Sequence, residues 1–202
     1  MAAAPVDESR PVYQQFMKLA TNKVVLDLSY TLLPGKEKNP EYPSLPEAKV
    51  VFTLVDYTKK PSLQLRHHMD ARIFRVLAWD ILLGRFPEAW PSRNDDGKEA
   101  GWGKYVEYKG TAQSTSQKGK PEARRLTILF NPDPDRKYPW TIKIERGLGE
   151  IIGRGAVNMK QVQDTVQFPL ATLPMRAVAA DGLEFLSAQR AFRVSSDSMA
   201  LL

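Results

Sequence analysis

The sequence predicts an α+β fold in which two antiparallel β-sheets are each followed by a helix. Residues 24–32 and 48–57 have strand patterns and precede a segment with the periodicity of an amphipathic helix. Further strand patterns between residues 104 and 170 precede a second helical segment. The two strand-to-helix junctions align when Asp70 is placed on Thr172, 102 positions later. This repeated order of elements indicates an internal duplication.

The elements of the first half follow from alternation and capping. Apolar and polar side chains alternate over residues 24–32, and residues 48–57 are rich in β-branched and aromatic residues. Four prolines make 34–46 a loop, and residues 11–19 fit a strand or a short helix. A short strand, SLQLR, leads into the first helix, which Asp70 is expected to cap. Its apolar stripe comprises Ile73, Phe74, Val76, Leu77, Ile81 and Leu82, and it ends at Gly84.

The second half repeats this plan after a polar linker at 91–101. Strands are predicted at 104–113 and 124–131, and a third places Trp140, Ile142 and Ile144 on one face. A last strand at 165–170 leads into a helix that Thr172 caps and that ends near Arg190. The glycines that predict a bend before this last strand are Gly147, Gly149, Gly153 and Gly155.

These elements predict a single domain with short extensions. We expect a leader at 1–22, a domain at 23–190 made of the halves 23–90 and 101–190, and a tail at 191–202. The chain contains no cysteine, which excludes disulfides, thiolate metal sites and cysteine nucleophiles. No apolar run approaches the length of a membrane span, and no signal peptide is evident. We therefore expect a soluble cytoplasmic protein without a membrane partner.

The positive charge is concentrated in residues 101–160. This segment holds twelve Lys or Arg and six Asp or Glu, so its net charge of +6 equals that of the whole chain. Cations interleaved with aromatic rings are what single-stranded nucleic-acid binding requires. The expected phosphate contacts are Lys104, Lys109, Lys118, Lys120, Arg124, Arg125, Lys137, Lys143 and Arg146, and the expected stacking residues are Tyr105, Tyr108, Tyr138 and Trp140.

Strand alternation leaves a core position open as an alternative for each of these aromatic residues. Tyr105 and Tyr108 lie three residues apart and face opposite ways on a regular strand, while Trp140 shares its face with Ile142 and Ile144. The tip at 114–125 is expected to close over a bound strand.

The residue patterns predict no catalytic residue, metal ion or cofactor. The only histidines, His67 and His68, are adjacent in a strand and point to opposite faces, so they are poorly placed to share a metal ion. Pro132-Asp133 lacks the second spaced acid and the later acid-x-lysine of a restriction-type nuclease. The glycine-rich segment is not followed by the Gly-Lys-Ser/Thr of a P-loop.

The order of elements resembles the Whirly family of single-stranded DNA-binding proteins, together with the related kinetoplastid mitochondrial RNA-binding proteins. Tyr108-Lys109-Gly110-Thr111-Ala112 partly matches the Lys-Gly-Lys-Ala-Ala-Leu strand motif that follows a tyrosine in Whirly proteins, with Thr111 in place of the second lysine. Residues 166–183 are similar to the family's final strand and helix.

The resemblance implies binding of single-stranded DNA and assembly into a homo-oligomer, either a dimer or a tetramer. Together with the charge pattern it predicts a largely sequence-independent DNA-binding protein that acts in replication, recombination or DNA transfer. The alternatives are an RNA-binding or annealing protein of the same fold and a non-catalytic protein-interaction module with a basic face.

Overall fold

A computed structural model describes residues 12–33, 47–93, 99–115, 121–152 and 156–199 of the chain and contains two antiparallel sheets. The strands of the first sheet pair in chain order: β1 (Gln14–Ala20), β2 (Val24–Leu33), β3 (Glu47–Asp56) and β4 (Leu63–Asp70). Those of the second sheet do the same: β5 (Pro91–Arg93), β6 (Glu99–Thr115), β7 (Pro121–Phe130), β8 (Trp140–Ile152) and β9 (Ala156–Leu170).

Each sheet is followed by a helix, which confirms the predicted fold class. Helix α1 (Ala71–Leu82) and the short α2 (Phe86–Ala89) follow the first sheet, and α3 (Thr172–Met199) follows the second. The two junctions therefore match in order: β4 runs directly into α1, and β9 reaches α3 after one residue.

The junction between β4 and α1 forms as the sequence predicts. Asp70 has an extended backbone and accepts a hydrogen bond from the Arg72 backbone N at 2.8 Å, which satisfies one of the free N–H groups of the first turn. Its hydrogen bonds to Arg72 lower the pKa of Asp70 to about 2. Gly84 takes the left-handed conformation, with φ of 72°, and ends the helical segment.

One hydrophobic core joins both halves of the chain. In the first sheet, the alternating residues Leu26, Leu28 and Phe52 point inward and are almost fully buried. They share a cluster with inward residues of the second sheet, such as Ile128, and with α3 through Met175. The helices therefore pack against the inward faces of the sheets, and the outward rows carry polar residues such as Asp27, Thr53 and Arg125 beside the buried apolar residues Val51 and Ala123.

Several element boundaries differ from the sequence predictions. Strand β1 lies inside the predicted leader and pairs with β2, because Met17 and Leu19 face the core while neighbouring polar residues point outward. Strand β5 lies inside the predicted linker and pairs with the start of β6. Strand β9 begins at Ala156, not near Thr165, and α3 starts at Thr172 itself and continues into the predicted tail.

Two of the predicted glycines lie at irregularities of the strand pair β8–β9, near the place where Val157 of β9 lies against Ala123 and Gly149 on the outward side of the second sheet. The register shifts between Arg146 and Gly147 and again between Leu148 and Gly149, as expected at β-bulges. A Cβ on Gly147 would overlap the backbone carbonyl of Gln161, so this position requires glycine for close approach. Gly153 and Gly155 lie outside the described residues.

We expect Gly147→Ala to lower the free energy of unfolding by about 2 kcal/mol, because the added methyl group meets rigid backbone and forces the strands apart. Urea unfolding followed by circular dichroism measures the change. Gly84→Ala is the matched control: it has open space around the new Cβ and carries only the cost of its positive φ. Equal and small losses in both variants would contradict the close approach at Gly147.

Candidate nucleic-acid interface

Strand alternation divides the basic residues of the second sheet between its two faces. On β6, β7 and β8, the inward side chains include Tyr105, Leu126, Ile128, Ile142 and Ile144, all of which are buried in the core. The outward side chains of the same strands form a surface that we call the open face, comprising Lys104, Tyr108, Arg125, Lys143 and Glu145. Helices α1 and α3 pack on the inward side, around Ile128.

Glu145 lies on β8 at one side of the open face and accepts hydrogen bonds from the two cations beside it. Arg125 Nε donates to one carboxylate oxygen at 2.6 Å, and Lys143 Nζ donates to the other at 3.2 Å. Burial raises the pKa of Glu145, but the hydrogen bonds from these two residues outweigh it and the net shift is downward. The open face therefore carries three cations and one ionised acid among its five defining residues.

Tyr108 is the exposed aromatic residue of the open face. It lies opposite Arg125 in the β6–β7 register and is 47% exposed. The Arg125 guanidinium lies over the Tyr108 ring, 5.8 Å from its centroid, and Nη1 donates to the tyrosine oxygen at 3.4 Å. Arg125 is therefore fixed between Glu145 and Tyr108, which leaves the tyrosine ring positioned but accessible.

A second exposed tyrosine lies in the loop between β7 and β8. Tyr138 is 45% exposed, and the Lys137 ammonium lies 5.3 Å from its ring centroid. The loop follows Phe130, which pairs with Gly103 on β6, so it adjoins the end of the sheet where Lys104 lies. Two exposed tyrosines with adjacent cations thus occupy different parts of the second sheet.

The other two predicted stacking residues belong to the core, and their predicted role is wrong for this conformation. Tyr105 is 7% exposed and packs edge-to-face on Trp90 at 5.0 Å. Trp140 is 4% exposed and packs on Phe86 and Phe130. Strand alternation explains why both residues are in the core and not on the surface, because both lie on the inward rows of their strands.

The cations expected to contact one nucleic-acid strand do not share one surface. Lys104 and Lys143 point outward, whereas Lys109, Arg124 and Arg146 lie across the inward face at paired positions of β6, β7 and β8. Lys109 pairs with Glu107 at 2.7 Å, Arg124 with Glu122 at 2.8 Å, and Arg146 with Asp164 at 2.6 Å. Lys118 and Lys120 lie outside the described residues, as does the rest of residues 116–120 in the predicted closing tip.

The inward cations border a cleft that the sequence did not indicate. Strand β4, an edge strand of the first sheet, crosses β7 and β8 there, and Arg124 Nη1 donates to the Arg66 carbonyl at 3.4 Å. The arginine cleft, as we call it, has a volume of about 250 Å³ and is lined by Gln64, Leu65, Arg66, Arg124 and Arg146. Arg66 comes from the first half of the chain, so only the packing of the two sheets brings it to the others.

A buried histidine joins the sheets next to this cleft. His67 is 1% exposed, and its Nε2 lies 3.1 Å from Oε2 of Glu107, whose other oxygen, Oε1, accepts from Lys109. Burial lowers the pKa of His67 although Glu107 opposes the shift, and Lys109 and Arg124 add to the lowering. His68 points outward to the Tyr13 hydroxyl at 3.3 Å, which confirms that the two histidines face opposite ways.

Stability is expected to fall as the pH decreases from about 7 to 5.5. The folded protein keeps His67 neutral, whereas the unfolded chain binds a proton near the ordinary histidine pKa of about 6.5, so acid favours unfolding. For one proton, the free energy of unfolding changes with pH by up to about 1.4 kcal/mol per pH unit.

Urea unfolding over this pH range, compared between the wild type and His67→Gln, measures the contribution of His67. The pKa of the half-buried His68 is also lowered, mainly by burial, so His68→Gln serves as the comparison and should reduce the slope less. An unchanged slope in His67→Gln would show that His67 takes up its proton in the folded state as readily as in the unfolded chain.

Comparisons of the chain with protein-family models, with curated proteins and with solved structures found no match. Within the described ranges, no three His, Asp or Glu side chains are arranged to hold a metal ion. No helix in the described part of the chain has the length and apolar character that crossing a membrane requires.

Proposed function

We propose that this protein binds single-stranded DNA without catalysis and with little sequence preference, through the open face of its second sheet. The observation that supports this most is Tyr108, an exposed ring that Arg125 holds in place on the same face as two further cations, Lys104 and Lys143. The resemblance in element order to the Whirly family favours the same function.

The open face offers the two kinds of contact that a single strand needs. An unpaired base stacks on the Tyr108 ring, and each such contact contributes about 1–3 kcal/mol. Lys104 lies four residues along β6 from Tyr108, about 13 Å away at the usual rise per residue, and has no ion-pair partner among the described residues. Its ammonium group is therefore free to contact a phosphate as the strand continues.

Tyr138 and Lys137 extend this surface beyond the end of the sheet. Their exposed position in the β7–β8 loop provides a second ring with an adjacent cation. A strand that stacks on both tyrosines would run along β6 past Lys104. None of these contacts depends on the identity of the base, because every base has a face that stacks.

A competition experiment tests the class of ligand. Fluorescein-labelled oligo-dT bound to the protein is displaced with unlabelled oligo-dT, with oligo-U of equal length, and with heparin at equal charge. The proposal predicts that oligo-dT competes best. Stronger competition by oligo-U would favour the RNA-binding alternative, since RNA offers the 2′-hydroxyl. Equal competition by heparin would favour a basic face that meets an acidic protein.

We also propose self-association into a dimer or tetramer. Val76 and Trp79 on α1 and Leu83 just after it are each more than half exposed, although Val76 belongs to the stripe predicted to face the core. Such a cluster of exposed apolar residues is a common feature of protein–protein contacts. Size-exclusion chromatography with light scattering measures the assembly, and a monomer at all concentrations would contradict it.

A further inference from the structure

The arginine cleft lies on the face of the second sheet opposite the open face, and the stacking surface does not use it. We propose that the arginine cleft is a second binding site, which takes phosphate groups of a polynucleotide backbone. The proposal that its ligand is a nucleic-acid strand rests on the proposed function, whereas its character as a phosphate site rests on the cleft alone.

The charge of the cleft is the first argument. Among the five lining residues that the structure describes, three are arginines and none is an acid. Arg66 forms no ion pair with a described carboxylate; its guanidinium lies over the Tyr13 ring, 5.5 Å from the centroid. Arg124 and Arg146 are each paired with one acid, Glu122 and Asp164, so the three arginines less these two acids leave a net charge of +1, which favours a bound anion.

The unused donors are the second argument. Asp164 accepts from Nε and Nη2 of Arg146, which leaves Nη1 of that residue without an acceptor in the described structure. Arg124 uses Nε for Glu122 and Nη1 for the Arg66 carbonyl, and its Nη2 likewise has no described acceptor. Both guanidinium groups are thus held from one side and keep free N–H groups, which suit the paired oxygens of a phosphate.

The size and lining of the cleft indicate which part of a nucleic acid it takes. Its volume of about 250 Å³ lies below the roughly 300–1,000 Å³ of small-molecule pockets. None of its described lining residues is aromatic, so these residues offer no ring on which a base would stack. These features fit a phosphodiester segment or a strand end rather than an enclosed nucleotide.

The test compares the salt dependence of oligo-dT binding in the wild type, Arg66→Gln and Arg93→Gln. Arg66 is exposed and without a carboxylate partner in the described structure, so its replacement is not expected to disturb folding, and melting temperatures check this. Arg93 is an exposed arginine on β5, at the other end of the sheet, and gives the same change in charge. Each oligonucleotide is used with and without a 5′-phosphate.

We expect the log–log salt slope of Arg66→Gln to be smaller in magnitude than that of the wild type by about 0.7, the value of one lost phosphate contact on a single strand. Arg93→Gln should keep the wild-type slope. A gain in affinity from the 5′-phosphate that only Arg66→Gln loses assigns the cleft to strand ends, and the absence of such a gain assigns it to internal phosphates. Equal slopes in the two variants, with equal responses to the 5′-phosphate, would overturn the proposal.

A second measurement separates this proposal from the proposed function. If the wild type binds no oligonucleotide, the DNA-binding function fails, and sodium pyrophosphate becomes the probe for the cleft. A rise in melting temperature with pyrophosphate, at matched ionic strength, in the wild type and Arg93→Gln but not in Arg66→Gln supports a phosphate site. The same rise, or none, in all three proteins refutes it.

Discussion

Tyr108→Ala is expected to weaken the binding of oligo-dT by about 5- to 150-fold. Tyr108 is the exposed ring of the open face, and losing one stacked base costs about 1–3 kcal/mol, which corresponds to this range of affinity. The fold should be retained, because the side chain is half exposed and the core row of β6 is unchanged. Fluorescence anisotropy with labelled oligo-dT at fixed salt measures the effect.

Tyr57→Ala is the matched control for this variant. Tyr57 is 58% exposed in the turn between β3 and β4, so it removes the same side chain from a different surface. Its affinity should equal that of the wild type. The salt slope of Tyr108→Ala should also remain unchanged, since the tyrosine contacts no phosphate. If Tyr108→Ala and Tyr57→Ala bind equally well, the open face is not the stacking surface.

Arg125→Ala is expected to destabilise the folded protein by about 3 kcal/mol. Glu145, whose side chain is 7% exposed, then keeps only Lys143 as a partner, and a buried carboxylate that loses its main hydrogen-bond donor is costly. The short Arg125–Glu145 hydrogen bond also raises the pKa of the guanidinium, in line with a strong pair. Chemical denaturation at neutral pH measures the loss.

A double variant separates the cost of leaving Glu145 unpaired from the contribution of the Arg125–Glu145 pair to the free energy of unfolding. Arg125→Met with Glu145→Leu removes both charges and should recover most of the lost stability, as observed for buried pairs replaced by apolar residues. Arg93→Ala, which leaves no acid buried, should change the free energy of unfolding by less than about 0.5 kcal/mol. Wild-type stability in Arg125→Ala would show that Lys143 alone satisfies Glu145.

Variants of Arg125 and Lys143 are poor probes of DNA binding. Because Arg125 and Lys143 hold a buried acid, replacing them changes stability and surface charge together. Lys104, exposed and without an ion-pair partner in the described structure, reports on phosphate contact alone.

Elements that depend on local sequence patterns form in the folded protein as the sequence predicts. The alternation in β2 and β3 and the cap at Asp70 act within a few residues, so the sequence was sufficient to predict them. Strand β1 was ambiguous because its residues are only partly buried and a bulge near Phe16 interrupts its alternation. The irregularity in β8 follows from contacts between Gly147 and Gln161, which are not visible in a local pattern.

Part of the candidate site is predictable from the sequence, because alternation along a regular strand decides which face each side chain occupies. Lys104 and Lys109 lie five residues apart, and Lys143 and Arg146 three apart, so a regular strand already places each pair on opposite faces. The burial of Tyr105 and Trp140 follows from the same rule. The arginine cleft and the His67–Glu107 contact depend on how β4 crosses the second sheet, for which the sequence contains no local signal.

The proposal that a basic sheet surface with exposed tyrosines binds single-stranded DNA is tested most directly by a titration. Labelled oligo-dT is titrated with the wild type at two salt concentrations. With four to six phosphate contacts, each contributing a log–log slope of roughly −0.7, we expect submicromolar binding at low salt and a total slope of about −3 to −4. Micromolar or weaker binding that does not change with salt would contradict the proposed function.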